Sequence, residues 1–508
     1  MTRILGTSRS QRISGQLAST YVDRLALVAQ GLGREVPALT RPTSESLSDA
    51  VASLVDAADR SQVWLTLAAL SGRLPTESTV VETARAAEFD PHALFAAVVD
   101  ETTPESATWE IRLVTSQVVL DVAHTASTTL MTGIQRVVRE SARRWLRWHG
   151  GLPVSWSRRM DAIRDLTPVE LDRILRAAAA NEDVESTEVP TVVLPWETTF
   201  TVPELAVDSP RTSRIQALAK YARCAVSAVA YDLIPVTSGE TTTPGMGDAF
   251  ARNLSALRHV TRIAPISHAA AVEYEGWRMM LAATGIVGPD IRAVVLPVEA
   301  AESTVAEVEE ARLRFTIGSL PMVLVVGSHE PRKNHLAVLH AAEMLWREGL
   351  EFSLTFVGGN SWNSQGFEQR LEELKLSGRA VEAASKVPDT QLWAAYRLAR
   401  FTVFPSLNEG FGLPVAESLA VGTPAITSNF GSMAEIAADG GALVVDPHDD
   451  ESISSAMRTL LLDDDAHAAL RAAATARPQR TWDDYATELW DFLIEGKPQD
   501  DEARPEHR

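Results

Sequence analysis

The sequence predicts an α/β protein with two doubly wound domains in series, each a parallel sheet covered by helices, after an all-helical segment. Short apolar runs alternate with helical segments from about residue 109, and the alternation restarts after about residue 297. Residues 1 to about 105 instead show helical periodicity and little strand pattern. Because ligands bind beyond the carboxyl ends of parallel strands, two such sheets predict a cleft between the domains.

The first segment, residues 1–105, contains four stretches with helical periodicity. They are SLSDAVASLVDAADR, QVWLTLAAL, ESTVVETARAAEF and DPHALFAAVVDE. In the last of them we expect Asp90 at the N-cap and Pro91 at the first helical position. We interpret the segment as a helical accessory domain that packs against the rest of the chain, docks a partner or self-associates.

The second segment, residues 106–296, is predicted to be the first α/β domain. Its expected strands are QVVLDV, TVVLPW, CAVSAVAYDLIPV, RIAPIS and AVVLPV, and its clearest helices are TGIQRVVRESARRWLRW and SRIQALAKYAR. The next segment, residues 297–478, repeats the pattern with MVLVVGS, SLTFVGG, RFTVFPS, PAITSN and GALVVD. Residues 479–495 predict a final helix that returns to the first domain, and residues 496–508 a charged, disordered tail.

The composition restricts the possible partners and the compartment. The net charge of −20 disfavours a nucleic-acid partner. The single cysteine, Cys224, excludes an internal disulfide and fits a reducing setting. The sequence contains no uncharged apolar run of about 18 residues, so no membrane-spanning helix is predicted. Polar residues also begin too early in the chain for the apolar core of a signal peptide. We therefore expect a cytoplasmic protein, either free or peripheral at the inner face of the membrane.

The stretch Asn408–Glu417, NEGFGLPVAE, connects the predicted strand RFTVFPS to the predicted helix PVAESLAVG. Pro414 suits the first position of that helix, and Gly422 suits its end. Free N–H groups at a helix N-terminus bind phosphate, and the positive end of the helix dipole adds to the attraction. The residues expected to supply these groups are Gly410, Phe411, Gly412 and Leu413.

Two carboxylates, Glu409 and Glu417, flank this phosphate site. A carboxylate accepts hydrogen bonds from hydroxyls, which sugars and riboses carry in pairs. Hydroxyls on both sides of a diphosphate are the arrangement found in a nucleotide-sugar. Taken singly, Glu417 also suits the start of its own helix and Glu409 a solvated loop.

NEGFGLPVAE resembles the paired-glutamate signature of retaining glycosyltransferases of the GT-B fold, family GT4. The resemblance extends over about residues 110–490 and is stronger in the second half, where VVGSHEPRKNHLAVLHA, KVPDTQLWAAYRLARFTVFPS and GTPAITSNFGSMAEI also match. It implies that Glu417 binds the ribose hydroxyls and that Glu409 contacts the donor sugar near the reacting centre. It also implies that backbone near Val387 lies against the nucleobase.

Further residues are assigned by the same resemblance, with departures. Lys333 matches the family's phosphate-binding lysine, but Ser328 stands where an arginine is usual, so Arg332 is expected to supply the second cation. Gly133 in TGIQRVVRE matches a loop of polysaccharide-building members that lies against donor or acceptor. Asp232 follows Tyr231 where the family often has His-Asp. We expect it to bind the sugar or activate the acceptor, or to be only a turn-forming residue.

Four arginines recur at spacings of three and four within TGIQRVVRESARRWLRW. They are Arg136, Arg139, Arg143 and Arg147. One interpretation is a basic stripe that contacts an anionic membrane or a lipid-diphosphate acceptor; the other is a solvated helix face. For His124 and His268, which follow strands, structural roles are favoured.

We expect no bound metal, because the only Asp-x-Asp string, residues 463–465, lies between two predicted helices and no zinc pattern is present. No cofactor is expected beyond the donor substrate. The resemblance implies a retaining, metal-independent hexosyltransferase that uses a nucleotide-diphosphate sugar, GDP- or UDP-linked, and a glycan or lipid-linked acceptor. Its mannosyl- or rhamnosyl-type relatives build cell-surface polysaccharide. The alternatives are a sugar-nucleotide epimerase or phosphorylase on the same fold, or a non-catalytic nucleotide-sugar-binding scaffold.

Overall fold

The computed structural model describes residues 15–39, 41–129, 132–176 and 191–497. The predicted disordered tail lies outside the described residues from residue 498 onward, and so do the first fourteen residues, on which the signal-peptide expectation rests. Among the helices within the described ranges, none is both long and apolar enough to cross a membrane.

Five helices form the N-terminal segment. They are α1 (Gly15–Leu32), α2 (Ser44–Leu54), α3 (Arg60–Ser71), α4 (Glu77–Ala87) and α5 (Ala93–Glu101). The predicted start of α5 is wrong by two residues, because Asp90 closes a turn instead of capping the helix. Its Oδ1 accepts from the N–H of His92 at 3.0 Å, and α5 begins at Ala93.

The N-terminal helices share one hydrophobic core with the first sheet. The indole of Trp64 on α3 stacks on that of Trp196 with ring centroids 6.3 Å apart, and Trp196 donates to the carbonyl of Gly31 at 2.8 Å. Arg73 pairs with the buried carboxylate of Asp161 at 2.9 Å. These helices therefore close one end of the first α/β domain.

The first α/β domain is a sheet of nine strands. They are β1 (Glu110–Val114), β2 (Val119–Asp121), β3 (Leu152–Trp156), β4 (Ile163–Asp165), β5 (Thr191–Pro195), β6 (Thr199–Val202), β7 (Ala225–Ala230), β8 (Arg262–Pro265) and β9 (Asp290–Ile291). The order across the sheet is β1-β5-β4-β3-β2-β6-β7-β8-β9. All neighbours are parallel except β4, which runs antiparallel to β3 and β5.

Two sequence expectations for this sheet are wrong. The sheet is mixed rather than parallel, because the chain turns back through residues 157–162 and β4 pairs antiparallel with β3. AVVLPV, residues 293–298, is not a strand. It continues from the two-residue β9 as an extended connection, with the N–H of Val294 bonded to Pro265 O at 2.9 Å and that of Leu296 to Ile266 O at 3.2 Å.

Seven helices accompany this sheet. They are α6 (Ala123–Ser127), α7 (Gly133–His149), α8 (Pro168–Arg176), α9 (Ser209–Tyr221), α10 (Ile234–Thr237), α11 (Met246–Leu257) and α12 (His268–Ala282). Of these, α7 is the most important for the site, because its first residue faces the second domain across the cleft.

The second α/β domain has six strands, all parallel, and eight helices. The strands are β10 (Met322–Val326), β11 (Ser353–Val357), β12 (Val381–Ala384), β13 (Phe401–Phe404), β14 (Ala425–Ser428) and β15 (Ala442–Val445). The helices are α13 (Val305–Phe315), α14 (His335–Arg347), α15 (Gln365–Leu376), α16 (Asp389–Leu398), α17 (Leu413–Ala420), α18 (Gly431–Ala438), α19 (Asp450–Leu462) and α20 (Asp464–Thr475). The order β12-β11-β10-β13-β14-β15 reverses direction between β10 and β13, and ligands bind at such a switch point.

The last helix, α21 (Trp482–Trp490), packs against α7 of the first domain. Trp145 of α7 donates its indole N–H to the carbonyl of Ala486 at 2.9 Å, and Arg144 Nε lies 2.5 Å from Asp483 Oδ1. One hydrophobic cluster includes residues of both α/β domains and of α21. The last helix therefore joins the two halves of the protein.

The four arginines of α7 do not form one exposed stripe. The prediction of a continuous basic surface on this helix is therefore wrong. Arg139 is buried and donates to the carbonyls of Arg173 and Thr128. Arg136 reaches the second domain, and only Arg143 and Arg147 are exposed. The pattern of polar and apolar residues shows which face of a helix is polar. It does not show whether water or another domain covers that face.

Candidate active site

The switch point of the second sheet brings the predicted basic and acidic loops together. The basic turn, Pro331–Lys333, follows β10, and the acidic loop that contains Glu409 follows β13. Because β10 and β13 are neighbours, both loops leave the same sheet edge side by side. The carbonyl of Arg332 accepts from the N–H of Leu407 at 2.8 Å, which joins the two loops through their backbones.

Glu409 is the centre of this arrangement. Its carboxylate lies 2.5 Å from Lys333 Nζ and 2.8 Å from Arg332 Nη1, and it accepts from the hydroxyl of Ser406 at 2.7 Å. Burial alone would raise the pKa of Glu409, but Lys333 and Arg332 outweigh it and lower the pKa from 4.5 to about 2. Glu409 is therefore ionised and held in place by two cations.

A close backbone contact holds the loop of the basic turn against the loop that follows β11. A Cβ on Gly358 would lie 1.9 Å from the carbonyl oxygen of Gly327, so only glycine fits where these two loops meet. Next to this contact, His329 Nδ1 lies 2.8 Å from the side-chain oxygen of Asn360. The loops after β10 and β11 are thus fixed to each other.

A buried histidine lies beside the two cations. The side chain of His335 is only 3% exposed. Burial, with smaller effects of His329 and Lys333, lowers the pKa of His335 to about 3. His335 is therefore neutral near pH 7, and the positive charge of this loop comes from Arg332 and Lys333.

The loop from Gly410 to Leu413 provides backbone N–H groups at the start of α17. In the part of the chain that the structure describes, none of these four N–H groups donates to a protein acceptor. Gly412 is the N-cap with φ of 103°, and the helix begins at Leu413, so Pro414 occupies the second helical position rather than the predicted first. Phe411 packs into the cluster between the domains. The loop is suited to bind an anion.

Glu417 lies one turn into α17 and is 8% exposed. The buried hydroxyl of Tyr396 donates to its Oε2 at 2.9 Å, and Arg136 of the first domain lies 3.2 Å from its Oε1. Burial raises the pKa of Glu417, and Arg136 and the Tyr396 hydroxyl oppose the increase. The carboxylate that sequence reasoning assigned to ribose is thus held from both sides of the cleft.

Asp232 faces the same loop from the first domain. A Cβ on Gly410 would lie 3.0 Å from its Oδ2, so the absence of a side chain at Gly410 permits the approach. Burial raises the pKa of Asp232 to about 6, although Arg332 acts in the opposite direction. Tyr231, at the position where a histidine was expected by resemblance, is buried and donates its hydroxyl to Pro203 O at 2.7 Å. Asp232 is therefore the acidic side chain of the segment AYDLIPV that lies at the cleft.

The two remaining predicted residues lie at the margins of the site. Gly133, the first residue of α7, faces the amide loop, because a Cβ on it would lie 3.1 Å from Leu413 Cδ1. Val387 lies in the turn between β12 and α16, and packs with the hydrophobic cluster that also contains Tyr396. The structure thus brings the predicted residues to one edge of the cleft, and their roles stay predictions.

Besides the pair of Arg136 with Glu417, sequence reasoning missed two further contacts that connect the domains. Ser267 donates its hydroxyl to the carbonyl of Gly410 at 2.7 Å. Glu435 of α18 accepts from the N–H groups of His268 and Ala269 at 3.1 and 2.9 Å and so caps α12 across the cleft. His268 thus contributes its backbone here, as its expected structural role allows. Both pairings join residues far apart in the chain, so no local pattern reveals them.

His124 has a polar contact within its own domain. Its Nδ1 lies 3.1 Å from Gln135 Nε2 of α7. Over the ranges that the structure describes, no group of three or more His, Cys, Asp or Glu side chains is placed to hold a metal ion. The expectation of a metal-free site stays a prediction.

The comparisons with known proteins concern mainly the second domain. The family described as glycosyl transferases group 1 matches residues 309–477, which contain the basic turn, the amide loop and both glutamates. This stretch is a group 1 glycosyltransferase domain. The family recognised from NEGFGLPVAE is thereby confirmed.

Two curated relatives from Escherichia coli are mannosyltransferases. The chain is 35% identical over 171 residues to O-antigen chain mannosyltransferase B, which covers 32% of this chain and 43% of that protein. It is 28% identical over 221 residues to serotype-specific mannosyltransferase WbdA, which covers 41% of this chain and 26% of that protein. The chain therefore spans less than half the length of these relatives.

The fold extends beyond the matched stretch. Sucrose-phosphate synthase from Thermosynechococcus elongatus superposes with a TM-score of 0.54 at 16% identity, over 76% of this chain and all of that one. This likeness shows the fold alone. The predicted GT-B fold, with a helical N-terminal region before the strands, is confirmed.

Proposed function

We propose that the protein is a retaining hexosyltransferase that moves a sugar from a nucleotide-diphosphate donor to a hydroxyl of a glycan or lipid-linked acceptor. The observation that carries the proposal is the bridge from Glu409 to Arg332 and Lys333, beside the amide loop and opposite Asp232. The E. coli relatives, named as mannosyltransferases, favour a mannosyl donor and a role in surface polysaccharide synthesis.

The chemistry assigned to these residues begins at the donor's diphosphate. When the bond from the anomeric carbon to the diphosphate oxygen breaks, negative charge collects on the leaving group. Arg332, Lys333 and the N–H groups of the amide loop would stabilise that charge, so the step needs no metal ion. In the structure Glu409 pairs with both cations, and an incoming diphosphate would share them.

The acceptor hydroxyl then attacks the anomeric carbon from the face that the diphosphate leaves. Its oxygen forms the new glycosidic bond, and its proton passes to the departing diphosphate or to Asp232. Glu409 positions the donor sugar, and the ionised carboxylate of Asp232 orients the acceptor hydroxyl. Rotation of the two domains about the cleft would exclude water during the transfer.

The first experiment identifies the nucleotide. A thermal-shift screen with GDP, UDP, dTDP and ADP should show one diphosphate that raises the melting temperature, since a ligand at one hundred times its Kd stabilises by about 2.7 kcal/mol. The matching nucleotide-sugar is then incubated with a mannosylated lipid-linked acceptor and EDTA. Diphosphate release should require the acceptor, and NMR should show the anomeric configuration of the donor in the product.

Each other outcome excludes part of the proposal. Stabilisation by none of the four diphosphates would remove the nucleotide-sugar assignment. Diphosphate release without any acceptor would show hydrolysis of the donor instead of transfer. Conversion of the donor into its epimer without diphosphate release would favour a sugar-nucleotide epimerase. Tight nucleotide binding with no turnover on any acceptor would favour a non-catalytic scaffold. Loss of activity in EDTA that Mg²⁺ restores would contradict the metal-free mechanism.

A further inference from the structure

Arg136 is the point at which three parts of the protein meet. It lies in the first turns of α7, in the first domain. Its Nη1 is 3.2 Å from Glu417 Oε1 in the second domain, and its guanidinium lies 5.9 Å from the ring centre of Trp482 on α21. No other arginine of the former stripe makes such a contact with the second domain in the described chain. Arg136 is therefore placed to respond to what occupies the cleft.

The contact with Glu417 satisfies a carboxylate that has lost most of its water. Tyr396 already donates to Oε2, so Arg136 takes the other oxygen. A buried carboxylate without a charged partner is costly, which explains why an arginine from the other domain is held here. Under the proposed function, however, the same carboxylate receives the ribose hydroxyls of the donor. Ribose and Arg136 would then compete for one oxygen.

The diphosphate of a bound nucleotide would give Arg136 a second anionic partner when ribose displaces Arg136 from Glu417. Gly133, one turn earlier on α7, packs against Leu413 in the amide loop. A diphosphate bound by that loop would thus lie beside the first turn of α7, within reach of the long side chain of Arg136. Arginine suits this exchange, because its planar group pairs equally with carboxylate and with phosphate.

We propose that Arg136 is a nucleotide-binding residue supplied by the first domain, which pairs with Glu417 as seen in the structure and moves to the diphosphate when the ribose hydroxyls bind Glu417. The proposal rests on the proposed function. It adds a third cation to Arg332 and Lys333, and it makes the hold of the first domain on the second depend on the bound nucleotide.

The test compares a nucleoside diphosphate with its nucleoside. GDP and guanosine, or UDP and uridine if UDP is the stabilising diphosphate, are titrated by calorimetry into wild type and Arg136→Gln. We expect the substitution to weaken diphosphate binding about tenfold, which is about 1.4 kcal/mol, because a charge-assisted contact is lost. Nucleoside binding should be unchanged or tighter, because a competitor for Glu417 has gone.

Arg143→Gln is the matched control, since Arg143 lies on the same helix, is exposed and, among the residues that the structure describes, pairs with Glu140 of its own helix alone. It should leave both affinities unchanged. If Arg136→Gln does not fold, Arg136→Lys decides instead, and the ratio of diphosphate to nucleoside affinity should fall at least threefold.

Two results would overturn the inference while leaving the proposed function intact. In one, Arg136→Gln changes neither affinity. In the other, it weakens diphosphate and nucleoside by the same factor, as expected if Arg136 only maintains the shape of the Glu417 site. If wild type binds none of the diphosphates, the proposed function fails and this inference fails with it.

Discussion

Replacing Glu409 by glutamine removes the charge that Arg332 and Lys333 share and keeps the shape of the side chain. The pKa of Glu409, lowered from 4.5 to about 2, corresponds to about 3 kcal/mol of preference for the ionised form. Glu409→Gln should lose about that much stability at pH 7, because Arg332 and Lys333 would lose the carboxylate that they share. For a domain of this size, the loss predicts a melting temperature lower by roughly 6–12 °C.

The assay is thermal unfolding of the ligand-free protein, repeated with saturating nucleoside diphosphate. Because the diphosphate replaces the missing counterion, the ligand should raise the melting temperature of Glu409→Gln more than that of wild type. Turnover should fall to near zero, because Glu409 is the residue that we propose to position the donor sugar.

Glu330→Gln provides the control for the same chemical change. Glu330 lies 2.8 Å from Arg332, as Glu409 does, but 3.9 Å from Lys333, so it makes only one of the two close contacts. It should lower the melting temperature by less than half as much. The reasoning is refuted if Glu409→Gln melts within about 1 °C of wild type, or if the two variants lose equal stability.

The pH dependence gives another check on the same stability. A carboxyl group with a lowered pKa in the folded state contributes stability that is present above its unfolded value and lost as the pH falls through the folded value. The difference between wild type and Glu409→Gln should therefore be constant above about pH 4.5 and shrink toward pH 2. A difference that instead grew as the pH fell would contradict the assignment.

Three further predictions concern other parts of the molecule. Because burial raises the pKa of Asp232 to about 6, kcat/KM should rise with pH through that value, and Asp232→Asn should flatten the rise in a profile from pH 5 to 8. Tyr396→Phe removes a hydrogen bond to Glu417 and should raise the KM for the donor about tenfold with little change in kcat, in steady-state kinetics. Deleting residues 1–105 should give insoluble protein on expression, because the core they share with the first sheet would be exposed; a soluble, folded product would show that the helices form an independent unit.

The sequence predicts the second domain better than the first. Each strand of MVLVVGS, SLTFVGG, RFTVFPS, PAITSN and GALVVD is present, because fully buried parallel strands appear as continuous apolar runs. In the second domain β12 was not predicted. In the first domain β3 and β9 were not predicted, and neither were β1, β4 and β6. Their residues alternate or carry charges, as in EIRLV and IRD, and so resemble surface segments. Pairing with distant strands fixes them.

The candidate site likewise contains residues that the sequence predicts and contacts that it does not. Glu409, Lys333 and Gly410 could be placed from the sequence, because a strand–loop–helix fixes where a loop points. Tyr396 and the contact of Arg136 with Glu417 could not, because both depend on how elements far apart in the chain pack together. For Arg136 the spacing pattern predicted the correct helix face and the wrong neighbour, since a guanidinium suits solvent and an ion pair equally.

The contact between Gly327 and Gly358 has a consequence for the kinetics of association. Two loops in direct backbone contact do not fluctuate independently, so the basic turn is ordered before any donor arrives. The conformational entropy of that turn is lost during folding and does not have to be lost again in the encounter. Donor capture on this side of the cleft should accordingly proceed at a rate set by diffusion and charge, and slower rearrangement should belong to the opposite domain.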